Sequence, residues 1–257
     1  MEIVIICLAA FFTAILTFFS GFGLGTILTP VFAIFFPIEI AIALTGVVHF
    51  SNNLFKITLI GRNADKKVLL KFGIPAILAS FAGALLLLRI TTIPPLFEYQ
   101  IGSRNFEVVP VKAFIALLLI IFSIIEIAPT TQKLSFSGNK LALGGLLSGF
   151  FGGLTGIQGA IRSAFLIKSG LSKEAYIATG VVIASMIDIT RLSVYASRFK
   201  DANLHEHLPL IITATLSAIT GAFIGSKLLK KITLRSIQLL VAVMLMIIAV
   251  LLGAGII

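Results

Sequence analysis

Long apolar runs follow one another along nearly the whole chain with only short breaks between them, and this limits the fold more than any other feature. A helix that crosses a bilayer takes about 20 mostly apolar residues. Ten segments can be marked, at residues 2–19, 24–36, 39–60, 68–89, 110–128, 141–150, 154–168, 175–196, 208–229 and 236–255. Only 12% of the residues are charged and 58% are hydrophobic, too few charges to cover a water-soluble domain of 257 residues. The expected fold class is therefore an all-α membrane protein of about ten helical segments, with no room for a soluble domain. The N-terminal Met1-Glu2-Ile3 lacks a basic stretch and its apolar run continues into the next, so it reads as the first membrane segment and not as a cleaved signal.

The net charge of +10 would suggest nucleic acid in a soluble protein. Here the Lys and Arg residues sit mostly in short inter-helix loops, with no basic, aromatic-interleaved face, and a nucleic-acid partner is excluded. The expected partners are the lipid bilayer and a small anion; oligomeric state leaves no mark in the sequence. Cys7 is the single cysteine and lies in an apolar run, so there is no disulfide framework. No metal, cofactor or enzyme motif is present: there is no HExxH, GxSxG or P-loop sequence.

The two halves resemble each other. Ser20-Gly21-Phe22 recurs as Ser148-Gly149-Phe150, and Thr45-Gly46-Val47-Val48 as Thr179-Gly180-Val181-Val182. Pro75 recurs at Pro209, at the same shift of 134 as the second match. This predicts a first transmembrane repeat over 1–128, a linker over 129–140 and a second repeat over 141–257. The second and seventh segments are too short to span upright, and the sixth is shorter still. They meet their neighbours at glycine-rich breaks, Gly21 to Gly25 and Gly149 to Gly159, so each repeat is expected to carry a Gly-broken or re-entrant helix pair.

Charge fixes the orientation. Loops after odd-numbered segments, with their flanks, hold Arg62, Lys66, Lys67, Lys71, Lys133, Lys140, Lys168, Lys173, Lys227, Lys230, Lys231 and Arg235. Loops after even-numbered ones hold Arg89, Arg104, Lys112, Arg191, Arg198 and Lys200. The odd loops are thus cytoplasmic and both termini face out. Five segments per half is an odd number, so the second copy enters inverted. The largest loop, residues 91–109, reads as a β-hairpin with arms Phe97–Ile101 and Asn105–Val109 around Gly102-Ser103-Arg104, either a structural cap or a ligand-binding element. Glu39, Glu126, His205 and His207 read as solvated interface residues.

Inverted repeats with short, interrupted segments at matching positions point to a transporter's central site. A helix that starts inside the membrane leaves its first N–H groups unpaired and carries a partial positive charge, which suits an anion. Candidate binding residues near the breaks are Gly23, Gly25, Thr26, Thr155, Gln158, Gly159, Arg162 and Ser163. Arg162 is an ion within an apolar run and needs a partner, either a substrate anion or the carboxylate of Asp188. His49, Asn52, Asn53 and Lys56 lie three and four apart and share one helix face. They read either as interhelical hydrogen-bonding groups or as a pocket wall, and His49 could carry a coupled proton. Asp188 and Arg191 are spaced to pair along their own helix.

At the breaks the sequence resembles the sulfite exporter TauE/SafE family of membrane transporters. The resemblance is carried by Gly21-Phe22-Gly23-Leu24-Gly25 with Pro30 close behind, and by Gly149-Phe150-Phe151-Gly152-Gly153-Leu154-Thr155-Gly156-Ile157-Gln158-Gly159. Each is followed by an Ala/Thr-rich helix, Ala41 to Val48 and Ala175 to Val182. The resemblance implies movement of small sulfur-containing anions such as sulfite, thiosulfate or organosulfonates across the cell membrane. Gln158 departs from the triple-glycine form of the second break, and Arg162 is outside the general pattern. Two other readings stay open: a passive anion channel using the same helix ends, and an intramembrane enzyme. The enzyme would need a close nucleophile–base pair, which His49 and Ser51 do not form at i, i+2.

Overall fold

The computed structural model describes residues 1–20, 24–91, 93–127, 140–167, 169–199, 204–228 and 234–256. Among them ten helices follow in order: α1 Glu2–Ser20, α2 Leu24–Ala33, α3 Ile38–Ile60, α4 Lys66–Ile90, α5 Pro110–Ile127, α6 Leu141–Thr155, α7 Gly159–Leu166, α8 Lys173–Phe199, α9 Leu208–Leu228 and α10 Leu234–Gly253. Helices α3, α4, α8 and α9 are long and apolar enough to cross a membrane. Large apolar side chains such as Leu8, Phe12, Leu78, Phe81, Leu117, Leu216 and Val250 point outward. In water this would be an aggregating surface; in lipid it is the required one. The protein is a multi-pass membrane protein.

Local chemistry explains the helix ends. Asp65 caps α4, its carboxylate accepting from the Val68 N–H at 2.9 Å. Within α4, residues Leu69–Gly73 form a π-helical turn. It lies just before Pro75, whose ring has no N–H and crowds the carbonyl four residues back, so the helix widens there and does not break. Helix α2 stops at Ala33, three residues short of the apolar run. The N–H groups of Phe35 and Phe36 turn back to the Phe32 carbonyl ahead of Pro37. At 10 and 8 residues, α2 and α7 reach only about 15 and 12 Å, half a bilayer or less.

The second break is narrower than expected and lies at the end of the glycine-rich stretch. Helix α6 does not end near residue 150 but runs through Gly149, Gly152 and Gly153 to Thr155, and α7 begins at Gly159. The chain turns at Gly156, which has φ 80° and donates its N–H to the Gly152 carbonyl at 2.9 Å. The upstream glycines have a packing role instead. Gly145, Gly149 and Gly153, four residues apart, lie against the backbone carbonyls of Phe72, Ala76 and Ser80 on α4, where a Cβ would overlap them. Small residues let membrane helices approach to backbone contact, and this stripe does so. Helix α9 repeats the device with Gly221 on the Phe11 carbonyl of α1 and Gly225 beside Ile15.

The most extensive helix contacts are α4 with α6 and α1 with α9, followed by α5 with α10 and α3 with α8. Helix α3 also meets α9, and α4 meets α8. The hairpin forms as β1 Phe97–Ile101 and β2 Arg104–Val108, one residue earlier in its second arm than expected. Arg104 pairs with Ile101, leaving a two-residue turn at Gly102-Ser103 with Gly102 at φ 62°. The hairpin docks on the end of α10: the Tyr99 hydroxyl donates to the Ala254 carbonyl at 2.5 Å.

Candidate functional site

The buried polar residues of α3 and α8 meet at the centre of the bundle. His49, Asn52, Asn53 and Lys56 are all buried, as their spacing on one face requires. Asp188 of α8 receives two of them: His49 Nδ1 lies 2.6 Å from Asp188 Oδ2, and Asn53 Nδ2 donates to the same oxygen at 3.4 Å. The other oxygen accepts from Arg191 Nε at 2.9 Å, and Arg191 Nη2 lies at the same distance. Asp188 and Arg191 thus pair along α8 as their spacing suggested, and His49 joins the pair across 139 residues of sequence. Arg162 Nη1 donates to Gln158 Oε1 at 3.2 Å, one turn away on the start of α7.

A small cavity of about 40 Å³ opens beside this cluster, between the end of α1, the second half of α3, α7 and the first half of α8. Its polar wall is Thr17, His49, Asn53, Lys56, Arg162, Ser163 and Tyr176. Phe18, Leu24, Leu166 and Val181 supply apolar wall. Gly180 of α8 faces Arg162, and a Cβ there would sit 3.4 Å from Nε. The Lys56 ammonium stands 5.1 Å from the centre of the Phe18 ring, a cation–π distance. Among the described residues no Asp or Glu is on the wall. The arrangement is a concave, partly apolar pocket with positive charge and convergent donors, which suits a small anion.

The family model described as Sulfite exporter TauE/SafE matches residues 6–252, nearly the full length. The chain belongs to the sulfite exporter TauE/SafE family. No curated protein matches it.

In this TauE/SafE chain the sequence-selected residues divide into three groups. His49, Asn53, Lys56, Arg162 and Ser163 come together on the cavity wall. Asp188 and Arg191 stand behind His49. Gly25, Thr26, Asn52, Thr155, Gln158 and Gly159 are buried but off the wall. Gly25, the second residue of α2, faces the Gly156 carbonyl, so the two breaks touch: a Cβ at Gly25 would lie 3.3 Å from that oxygen. Thr155 ties the turn, accepting from the Ile157 N–H at 3.1 Å and donating to the Phe151 carbonyl at 2.9 Å. Gly23 lies outside the described residues. Of the expected boundary residues, Glu39 is exposed, and His207 is half-buried with its ring edge-on to Phe36 at 5.0 Å. Glu126 and His205 are outside the described side chains.

Of the wall residues that escaped the sequence reading, three bear on its chemistry. Thr17 is a polar residue in the last turn of an apolar helix. Tyr176 sits in the first turn of α8, where it reads as a boundary residue. Gly180 was visible only as part of the repeated Thr-Gly-Val-Val. Arg191, counted with the loop charges, is fully buried.

Proposed function

We propose that the protein is a secondary transporter of small sulfur-containing anions, such as sulfite, thiosulfate or an organosulfonate, across the cell membrane. The observation that carries the reading is the cavity: buried basic side chains, Asn and Ser donors, and no acidic residue on its wall among the described residues. Arg162 is the principal binding residue. Its guanidinium suits two oxygens of a sulfonate or sulfite group, and Gln158 holds it at the start of α7. Asn53 and Ser163 would add hydrogen bonds; the Ser163 hydroxyl has no partner among the described residues. Leu24 and Arg162 on the wall belong to the first turns of α2 and α7, so both helix N-termini border the cavity and add a favourable field for an anion.

The contact pattern supports two repeats in opposite orientation, over 1–128 and 141–257. The first helix of each packs on the fourth of the other, α1 on α9 and α6 on α4, while α3 meets α8 and α5 meets α10. Under this reading the cavity, walled by the second half of α3 and the first half of α8, lies toward the basic loops and is reached from the cytoplasm. On the other side of the cluster Gly46 and Gly156 lie against the Arg191 side chain, and in the proposed cycle this side is the closed one. Rocking of one repeat against the other would exchange the two.

The test is a thermal-shift screen of detergent-purified protein with sulfite, sulfate, thiosulfate, sulfoacetate, taurine, phosphate and chloride. A ligand that binds the folded state raises its stability. A sulfur oxyanion or sulfonate is expected to raise the melting temperature, and Arg162→Ala, still folded, to lose the shift. A normal shift in Arg162→Ala would remove the residue from the site.

A further inference from the structure

We infer that Arg191 is a second anion-binding residue, the one that meets the substrate when the side of the bundle opposite the cavity opens. The inference rests on the reading of the protein as an anion transporter and adds a residue that reading leaves unused. It starts from the repeated Thr-Gly-Val-Val. Gly180 of the second copy faces Arg162 at the cavity, where a Cβ would lie 3.4 Å from Nε. Gly46 of the first copy faces Arg191, whose Nη2 and Cζ would lie 3.2 and 3.3 Å from a Cβ there. Equivalent glycines of the two repeats thus each face an arginine. The two settings lie on opposite sides of His49: Arg191 stands about 16 Å further along α8 than Gly180, beside the first half of α3. Each guanidinium is also oriented from one turn upstream, Arg162 by Gln158 and Arg191 by Asp188.

A structural ion pair does not by itself account for this setting. Nε and Nη2 both stand 2.9 Å from Asp188 Oδ1, which uses one edge of the guanidinium. Nη1 is fully buried and has no hydrogen-bond partner among the described residues. A buried donor left without a partner is unfavourable, and a group that bonds it in another state of the cycle explains why it is kept. Nη1 lies against Gly156, where a Cβ would come within 2.8 Å of it. Gly156 turns the chain and is glycine for that reason. Gly46 has no such reason: it lies inside α3, where glycine weakens a helix, so its bare backbone goes with the arginine it faces. Thr45, beside Gly46 in the chain and packed on Gly25, carries a second buried hydrogen-bonding group without a partner among the described residues. An oxyanion entering from this side would be met by Nη1 and the Thr45 hydroxyl. Asp188 can stay on the other edge throughout and hold the fork in position, as Gln158 holds Arg162.

The experiment measures exchange of labelled sulfite and labelled sulfoacetate by the full-length protein in right-side-out and inside-out membrane vesicles, which gives an apparent KM from each side. Arg191→Lys keeps the charge and loses the planar fork. Its KM from the outer side should rise at least about tenfold, while that from the cytoplasmic side stays within about twofold of the natural protein's. Arg162→Lys should show the reverse. Gly46→Ala, whose methyl group presses on Nη2, should reproduce the outer-side rise, so the test stands even where Arg191→Lys fails to fold. Equal changes from both sides, or a lower maximal rate with both KM values kept, would mean that Arg191 acts only through its tie to Asp188. Either result would overturn the inference and leave the cavity at Arg162 as the anion site. If the natural protein exchanges neither anion, the transport reading itself fails and takes this one with it.

Discussion

Asp188 is held from two helices, by His49 and Asn53 of α3 and by Arg191 of its own α8, so it fastens the two central helices together. Removing one partner of a buried ion pair strands the other, at a cost of about 3–5 kcal/mol. Asp188→Ala is therefore expected to lower the melting temperature sharply, with Arg191 left uncompensated. The double variant Asp188→Asn, Arg191→Met, which removes both charges, should recover much of the loss in the same melting measurement. A double variant no more stable than the single one would mean that hydrogen bonds from His49 and Asn53, and not the charge pair, carry the tie. The i, i+3, i+4 and i+7 spacing of His49, Asn52, Asn53 and Lys56 made one polar face of α3 legible. What that face meets was not, because no local pattern joins residues 139 apart. Asn52 shows the difference: it shares the face, yet lies off the cavity wall with no hydrogen-bond partner among the described residues.

At the scale of helices, the glycines serve two purposes that sequence alone does not separate. Gly156 turns the chain, while Gly145, Gly149 and Gly153 bring α6 into backbone contact with α4. Both needs produce the same residue, so a glycine-rich stretch reads as one long break when it is a packed helix followed by a short turn. Segment existence was legible because hydropathy over some 20 residues is set by the solvent, whatever the partner helix. The break position was not, because it depends on which glycine faces α4. Substitutions separate the roles. Gly149→Ala places a methyl group on the Ala76 carbonyl and should destabilise by about 1–3 kcal/mol, read as a lower melting temperature in detergent. Gly180→Ala meets only the Arg162 side chain, at 3.4 Å. It should fold normally and change anion affinity instead, and a melting temperature as low as that of Gly149→Ala would show that the wall at Gly180 is a packing contact.

For the whole molecule, the apolar exterior and the polar centre answer one constraint. Lipid accepts no unpaired charge, so ionic side chains gather where helices or a ligand can neutralise them. The proposed transport cycle uses this. In it the anion binds in the cavity near the basic loops, and the side around Gly46, Gly156 and Arg191 opens in its turn. Anion exchange in proteoliposomes tests the central claim most directly, because exchange of labelled for unlabelled substrate needs neither a known direction nor a known coupling ion. The prediction is saturable exchange of labelled sulfite or sulfoacetate by the natural protein, abolished in folded Arg162→Ala and weakened in Lys56→Gln. Exchange that persists undiminished in Arg162→Ala, or flux that rises linearly with concentration as through an open channel, would contradict a substrate site in this cavity.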